Sequence, residues 1–269
     1  MALTLSALHV YPVKGLKGID LEEARCTERG LENDRRWMVV DAEGEFLSQR
    51  SHPKMATVWT DLADGALTLS APDVASVDVP LDPRPSAPTR VRVWQSVCDA
   101  LPVSPYADAW LSDYLGLACR LVYMPDTTRR LSNPERTDGE KLVGFADGYA
   151  YLVTTEASLA DLNARLAARG ARSVPMNRFR PNLVVRGGEA FAEDGWREIR
   201  VGTAVLRAAK PCGRCQVTTT DQTTGEVRGP EPLETLSTYR DSPFGVRFGM
   251  NLVTLQEGTI RVGDAIALS

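Results

Sequence analysis

Apolar and polar residues alternate with a period of two through most of the chain, in short runs broken by turn residues. ALTLSALHV at residues 2–10 alternates and then turns at YPVKG, which predicts a strand and not a signal peptide. RRWMVVDAEGEFLSQR (35–50) predicts two strands joined by a D-x-E-G turn, and TRVRVWQSVCDALPVS (89–104) alternates again. Between them the prolines of LDPRPSAP (81–88) predict a loop. From Pro105 the period lengthens: Ala109, Leu111, Tyr114 and Leu115 fall at helical spacing, before a β-like run from Cys119. DTTRRLSNPERTDGEK (126–141) is polar and aperiodic, and predicts a mobile loop that could serve as a boundary or lid.

The second half opens with a strand, YAYLVTT (149–155), followed by a helix over EASLADLNARLAARG. That helix has Thr155 as N-cap, Leu159, Leu162 and Leu166 on one face, and Gly170 as the stop. RPNLVVRGG, WREIRVGTAVLRAAK, CQVTTTD and TIRVGDAIAL predict strands, and EPLETLSTYR (231–240) a short helix. The chain therefore reads as mostly β with a few helices, an α+β protein of two lobes.

Composition narrows the chemistry. The chain has 269 residues, 43% of them hydrophobic and 25% charged, with a net charge of −4, so it offers no basic excess for nucleic acid. No apolar run is long enough to predict a membrane span. Five cysteines, three of them scattered (Cys26, Cys98, Cys119), do not form a disulfide framework and predict a reducing, cytoplasmic setting. With only His9 and His52, His-rich zinc sites, two-His iron sites and most Ser-His or Cys-His pairs lack their imidazoles; both histidines read as structural.

Chemistry concentrates instead in KPCGRCQVTTTD (210–221), where Cys212 and Cys215 form a C-x-x-C. A dithiol shuttle wants a helix after the first cysteine, and QVTTT is rich in β-branched residues. A structural zinc site wants four ligands, and no second pair exists. The neighbours Lys210, Pro211, Gly213 and Arg214 are not those of a packing residue. Cations beside a thiol favour the thiolate, a soft ligand and a good nucleophile, so a functional cysteine is the expectation. Asp221 reads as a turn residue bonding the backbone.

KPCGRCQVTTTDQTTG followed by EPLETLSTYR resembles the signature of MOSC domains. YPVKGLKGIDLEEARCTERGLENDRRWMVVD is similar to the β-barrel domain that precedes MOSC in amidoxime-reducing proteins, and TTEASLADLN and RFRPNLVV resemble further segments in the same order. The resemblance implies an N-terminal β-barrel-like domain (1–122) followed by a MOSC β-barrel domain (123–269). It also implies a molybdenum cofactor (Mo-molybdopterin) whose metal is ligated by the second cysteine, here Cys215, with Cys212 as the second candidate. Cofactor contacts implied with it are Lys14 and Gly15 of the PVK-x turn, Arg35, Thr155, Ser158, Arg180, Asn182, and Gly213 and Arg214 through backbone N–H groups. Arginine forks suit an anionic pterin phosphate, and so does the helix N-terminus after Thr155.

The activity implied is reduction of the N–O bond of a small N-hydroxylated substrate. Because TIRVGDAIALS follows the MOSC region directly and no anchor precedes it, electrons are expected from a separate reductase or electron carrier. The competing expectation is a carrier of the cofactor, or of sulfur as a persulfide on Cys215, without redox turnover.

Overall fold

The computed structural model describes residues 2–83, 86–243 and 245–269. Arg84 and Pro85 of the loop expected at 81–88 lie outside the described residues. So does Met1.

Seven strands close into a barrel. Tyr151–Thr155 pairs in parallel with Leu183–Arg186 and antiparallel with Arg247–Gln256. The sheet continues through Ala204–Gly213, Glu198–Val201 and Ala265–Leu268 to Leu3–Val10, which pairs back onto Leu183–Arg186. Closure pairs each of these seven strands on both sides, and Ile19–Leu21 adds a short outer strand to Leu3–Val10. Alternation supplies the filling: Ile199 and Val201 are buried while Arg200 between them is exposed, and Leu5, Leu8, Val153, Leu183, Val185, Leu206 and Leu252 meet inside. The strand that closes the barrel thus comes from the extreme N-terminus.

A second β unit grows from the same strand's continuation. Val13–Lys14 runs parallel to Trp37–Val40, which pairs with Arg120–Tyr123; Ser96–Pro102 and Thr89–Val93 complete that sheet. Trp37–Val40 is buried on both faces. Trp37 and Val39 join the cluster beneath helix Pro105–Leu115, and Met38 and Val40 join another with Val91, Val93 and Phe145. A three-stranded sheet, Trp59–Ala63, Ala66–Ala71 and Val74–Pro80, covers the first of these clusters with Leu67, Leu69 and Val79.

The helices expected after Pro105 and Thr155 are present as Pro105–Leu115 and Glu156–Ala168, the second capped by Thr155, whose hydroxyl accepts from the Ser158 N–H at 3.0 Å. Leu233–Arg240 is the third. Three segments differ from expectation. The second arm of the 35–50 hairpin is reduced to a bridge between Val40 and Phe46, because the Asp41 carboxylate draws in the N–H groups of Glu43 and Glu45 (3.0 and 2.8 Å) and keeps the arm short.

Residues 126–141 are not a free loop. They carry a helical turn, Pro134–Thr137, and buried Arg130 donates to the carbonyls of Gly144 (2.6 Å), Ala146 (2.6 Å) and Asp147 (3.0 Å). CQVTTTD is not a strand: Gln216–Thr219 forms a 3₁₀ turn. There the Thr218 N–H and hydroxyl both donate to the Cys215 carbonyl (3.1 and 3.0 Å), so local side-chain bonding overrides β propensity.

Candidate functional site

A cleft of about 180 Å³ lies between the outer wall of the barrel and the second β unit. Tyr151 and Val153 belong to the barrel interior, so Leu152 between them faces outward, as does Asn251 between Met250 and Leu252; both line the cleft. Opposite stand Lys14, Gly15, Phe46, Ser48, Gln49 and Arg50. Lys14, Gly15, Arg35, Arg180, Asn182, Gly213, Arg214 and Cys215, the positions the resemblance implied, all line this one cleft.

Its inner wall is a stack of cations. The Arg35 and Arg180 guanidinium groups lie on Tyr11, 4.4 and 4.3 Å from the ring centroid. Arg35 donates to the Asn182 Oδ1 at 2.8 Å and to buried Asp34, while Asn182 donates to Asp34 Oδ1 at 3.1 Å and to the His9 carbonyl at 3.1 Å. Both arginines adopt left-handed backbone, with φ 47° at Arg35 and 53° at Arg180. Such a conformation is costly for a side chain with a Cβ, and the surrounding network holds it in place. Burial, reinforced by Arg35, draws Arg180 down to about 10 although Tyr11 opposes it; burial pushes the Tyr11 phenol up to about 12 against both cations.

Cys212 is the penultimate residue of the strand Ala204–Gly213, and Cys215 caps the 3₁₀ turn; both thiols are free. Arg50 donates to Cys215 Sγ at 3.1 Å, and Arg214 to Cys212 Sγ at 2.9 Å and to the Phe179 carbonyl at 2.7 Å. Buried Nε of Arg214 has no hydrogen-bond partner among the described residues. The backbone N–H of Arg214, expected to face a ligand, instead donates to the Val246 carbonyl at 2.6 Å. Asp221 closes a turn, its Oδ1 accepting from the N–H groups of Thr223 and Thr224 at 2.9 and 3.2 Å, and its Oδ2 receives Arg178 at 3.1 Å.

At the mouth, Asp147 pairs with Lys14 and accepts from Trp94 Nε1 at 3.1 Å. The side chain is 62% exposed; the protein packed around it would raise this carboxyl, but Lys14, the indole N–H and Arg50 outweigh that and hold it well below the usual carboxylate range. Lys14 is itself pushed down by burial. Gly15 has φ 85°, its carbonyl accepts from Gln49 at 2.7 Å, and an added Cβ would sit 2.8 Å from Met55 Cε. That turn tolerates a glycine and crowds anything larger.

Thr155 and Ser158 are not brought to the cleft. Both are fully buried around the Glu193 carboxylate, which receives Ser158 at 2.8 and 2.9 Å and Thr155 at 3.3 Å; the Phe191 N–H in turn donates to the Ser158 hydroxyl at 2.7 Å. Burial raises the Glu193 carboxyl. Sequence reasoning missed Gln49, Arg50 and Asp147, which reach the cleft from loops of other strands, and Trp94, which bonds Asp147 at its mouth. S-Q-R after the first hairpin, and the D-G pair before YAYLVTT, were the signals present.

Residues 2–118 match the MOSC N-terminal beta barrel domain and residues 140–267 match the MOSC domain. The chain is 35% identical to mitochondrial amidoxime-reducing component 1 of Mus musculus and 33% identical to that of Homo sapiens, covering 98% of this chain and 82% of each relative. Mitochondrial amidoxime reducing component 2 of Homo sapiens is 31% identical over the same shares, 98% and 82%. These relatives correct one expectation: their names place them in mitochondria and point there rather than to the cytoplasm. Among the described residues no helix is long and apolar enough to cross a membrane.

Proposed function

The chain belongs to the MOSC-domain family of amidoxime-reducing oxidoreductases, and from that premise we propose that it reduces the N–O bond of N-hydroxylated compounds with a molybdenum cofactor held in the cleft. Five cations (Lys14, Arg35, Arg50, Arg180, Arg214) line the cleft against one carboxylate, Asp147, which suits an anionic ligand. The unpartnered Nε of Arg214 and the free thiol of Cys215 beside Arg50 are the donor set such a group would use. This surplus of cations around a free cysteine is the observation that carries the reading.

Arg35, Arg180 and Arg214 would hold the phosphate and the polar edge of the pterin, Asn182 would orient Arg35, and Cys215 would ligate the metal. The Lys14–Gly15 turn, held by Gln49, would close the second wall. When bound, the cofactor supplies a two-electron couple matched to cleavage of one N–O bond. An amidoxime takes up two electrons and two protons and becomes an amidine and water. The electrons come from a separate reductase or carrier. Within the protein, Tyr11 stacking holds the two inner arginines apart from solvent, and the Asp147–Lys14 pair marks the open side by which a small substrate enters. A division into a unit ending near residue 122 and one beginning at 123 belongs to the same proposal, with the cleft between them.

The experiment is turnover of an amidoxime by cofactor-loaded protein with a reduced viologen dye as donor, in wild type and Cys215→Ala. Amidine formation that disappears in the variant is the expected outcome. A loaded wild type that oxidises no dye in the presence of amidoxime or hydroxylamine contradicts the reading. Persulfide on Cys215 in that same sample would move the assignment to a sulfur carrier.

A further inference from the structure

Two buried glutamines join the walls of the cleft. Gln49 stands on the second β unit and Gln222 on the segment that follows the C-x-x-C, 173 positions further along the chain. They are 2% and 4% exposed, and their amides bond reciprocally. Gln222 Nε2 donates to Gln49 Oε1 at 2.8 Å, and Gln49 Nε2 to Gln222 Oε1 at 3.2 Å. The surroundings fix which way each amide points. Gln49 Nε2 also meets the Gly15 carbonyl (2.7 Å) and Gln222 Nε2 the Thr220 carbonyl (3.2 Å), while Gln222 Oε1 also accepts from Arg180 at 3.4 Å.

Both ends of this pair are tied to the site. On the barrel side, the chain from Cys215 to Gln222 is braced by its own bonds. The Thr218 N–H donates to the Cys215 carbonyl, the Thr219 hydroxyl to the Gln216 carbonyl at 2.8 Å, and the Thr220 N–H to the Val217 carbonyl at 3.1 Å. Arg178 adds a cross-brace, donating to the Thr219 carbonyl at 2.8 Å and to Asp221. A shift of Gln222 therefore carries Cys215 with it. On the other side Gln49 holds the Gly15 carbonyl, and its chain neighbour Arg50 donates to Cys215 Sγ at 3.1 Å. A second contact lies on the same loop. Gly225, with φ 71°, approaches the Pro53–Thr57 turn so closely that a Cβ would stand 3.2 Å from the Pro53 carbonyl oxygen and 3.3 Å from Lys54 Cα.

We propose that Gln222 is a positioning residue: through Gln49 it fixes the spacing of the two walls, and with it the placement of Arg180 and Cys215 against the Lys14–Gly15 turn. The proposal rests on the cofactor reading of the cleft. A group gripped from both walls is held well at one wall spacing only, and a misplacement of about 1 Å is enough to lose much of that grip. A surface ion pair follows such a shift with its long side chains. The buried amides do not, because each one that loses its partner leaves a polar group stranded away from water. The pair therefore opens as a unit or stays shut.

The test has two arms, built on methionine, which keeps the volume of glutamine and removes its hydrogen bonds. In the first, amide hydrogen exchange is followed in the unloaded protein for wild type and Gln222→Met. Exchange at Leu16 and Lys17, on the far wall, should rise about tenfold together with exchange at Gly225. Loosening confined to residues 220–225 overturns the proposal. In the second arm, Gln49→Met, Gln222→Met and the double variant are made in a host that supplies the cofactor. Replacing both partners is close to neutral for stability, so the urea midpoint of the double variant should lie nearer wild type than that of either single variant. Pterin should nonetheless leave all three variants about tenfold faster than wild type on dialysis. Pterin retention that recovers in the double variant along with its midpoint shows a purely structural pair and overturns the proposal. If the far-wall amides loosen as expected while wild type carries no pterin, the cofactor reading fails and the coupling of the walls stands.

Discussion

Two buried polar clusters flank the strand Tyr151–Thr155, and they are opposites. At its C-terminal end Thr155, Ser158 and Glu193 satisfy one another: one carboxylate meets two hydroxyls and a helix cap, all fully buried. Near its start, Arg35, Arg180 and Arg214 surround a cleft, two on strained backbone and one with an unpartnered nitrogen. Both clusters contain residue types that bind anions, hydroxyls in one and guanidinium groups in the other, and both carry motif-like sequence. A group whose hydrogen bonds are complete within the fold has nothing left for a ligand, whereas a surplus of one charge around a space is arranged for something else.

The sharpest test of that contrast is Arg180→Ala. Removing one charge-assisted partner from a largely desolvated ligand costs about 2–3 kcal/mol, which is about 30- to 150-fold in cofactor affinity. Pterin content after dialysis should fall accordingly, while secondary structure by circular dichroism holds. Next comes Ser158→Ala on the closed side. Glu193 keeps its burial and loses its main donor, so stability should drop by about 2 kcal/mol in urea unfolding with pterin content unchanged. A Ser158 variant that folds normally but binds no pterin would erase the distinction between the clusters.

Asp147→Asn should cost less, about 1–2 kcal/mol, because Lys14 is 9% exposed but its carboxylate partner is 62% exposed and screened. The sign follows from the depressed Asp147 carboxyl. Its contribution is complete above an ordinary carboxyl pKa, near about 4, and fades only as pH falls below that. Urea midpoints of wild type and Asp147→Asn should therefore differ by a constant amount from pH 5 to 8 and converge in stronger acid. Smallest is Gly15→Ala, about 1 kcal/mol, from a Cβ at φ 85° crowding the flexible end of Met55.

What the chain discloses without a structure follows the same line between local and distant. The helix after Thr155, its cap and the C-x-x-C are written in consecutive residues and were legible. Closure of the barrel was not, since Leu3–Val10 meets Leu183–Arg186 across some 180 positions and no periodicity announces a partner. Gln216–Thr219 defeated propensity because two threonine hydroxyls bond backward to carbonyls. Arg50, Trp94 and Asp147 belong to three separate loops and acquire meaning only where those loops converge, at Cys215 and the cleft mouth. Thr155 and Ser158 looked like anion-binding hydroxyls until Glu193, 35 residues beyond Ser158, was seen to occupy them.

The most direct measurement is molybdenum and pterin per chain, by metal analysis and by fluorescence of the oxidised pterin, for wild type and Cys215→Ala expressed in a host that makes the cofactor. Wild type carrying both, with the variant losing molybdenum and keeping pterin, is the expected result: the arginine wall holds the organic part and Cys215 the metal. Equal molybdenum in both proteins, or neither group in a wild type made beside a fully loaded control molybdoenzyme, would contradict it.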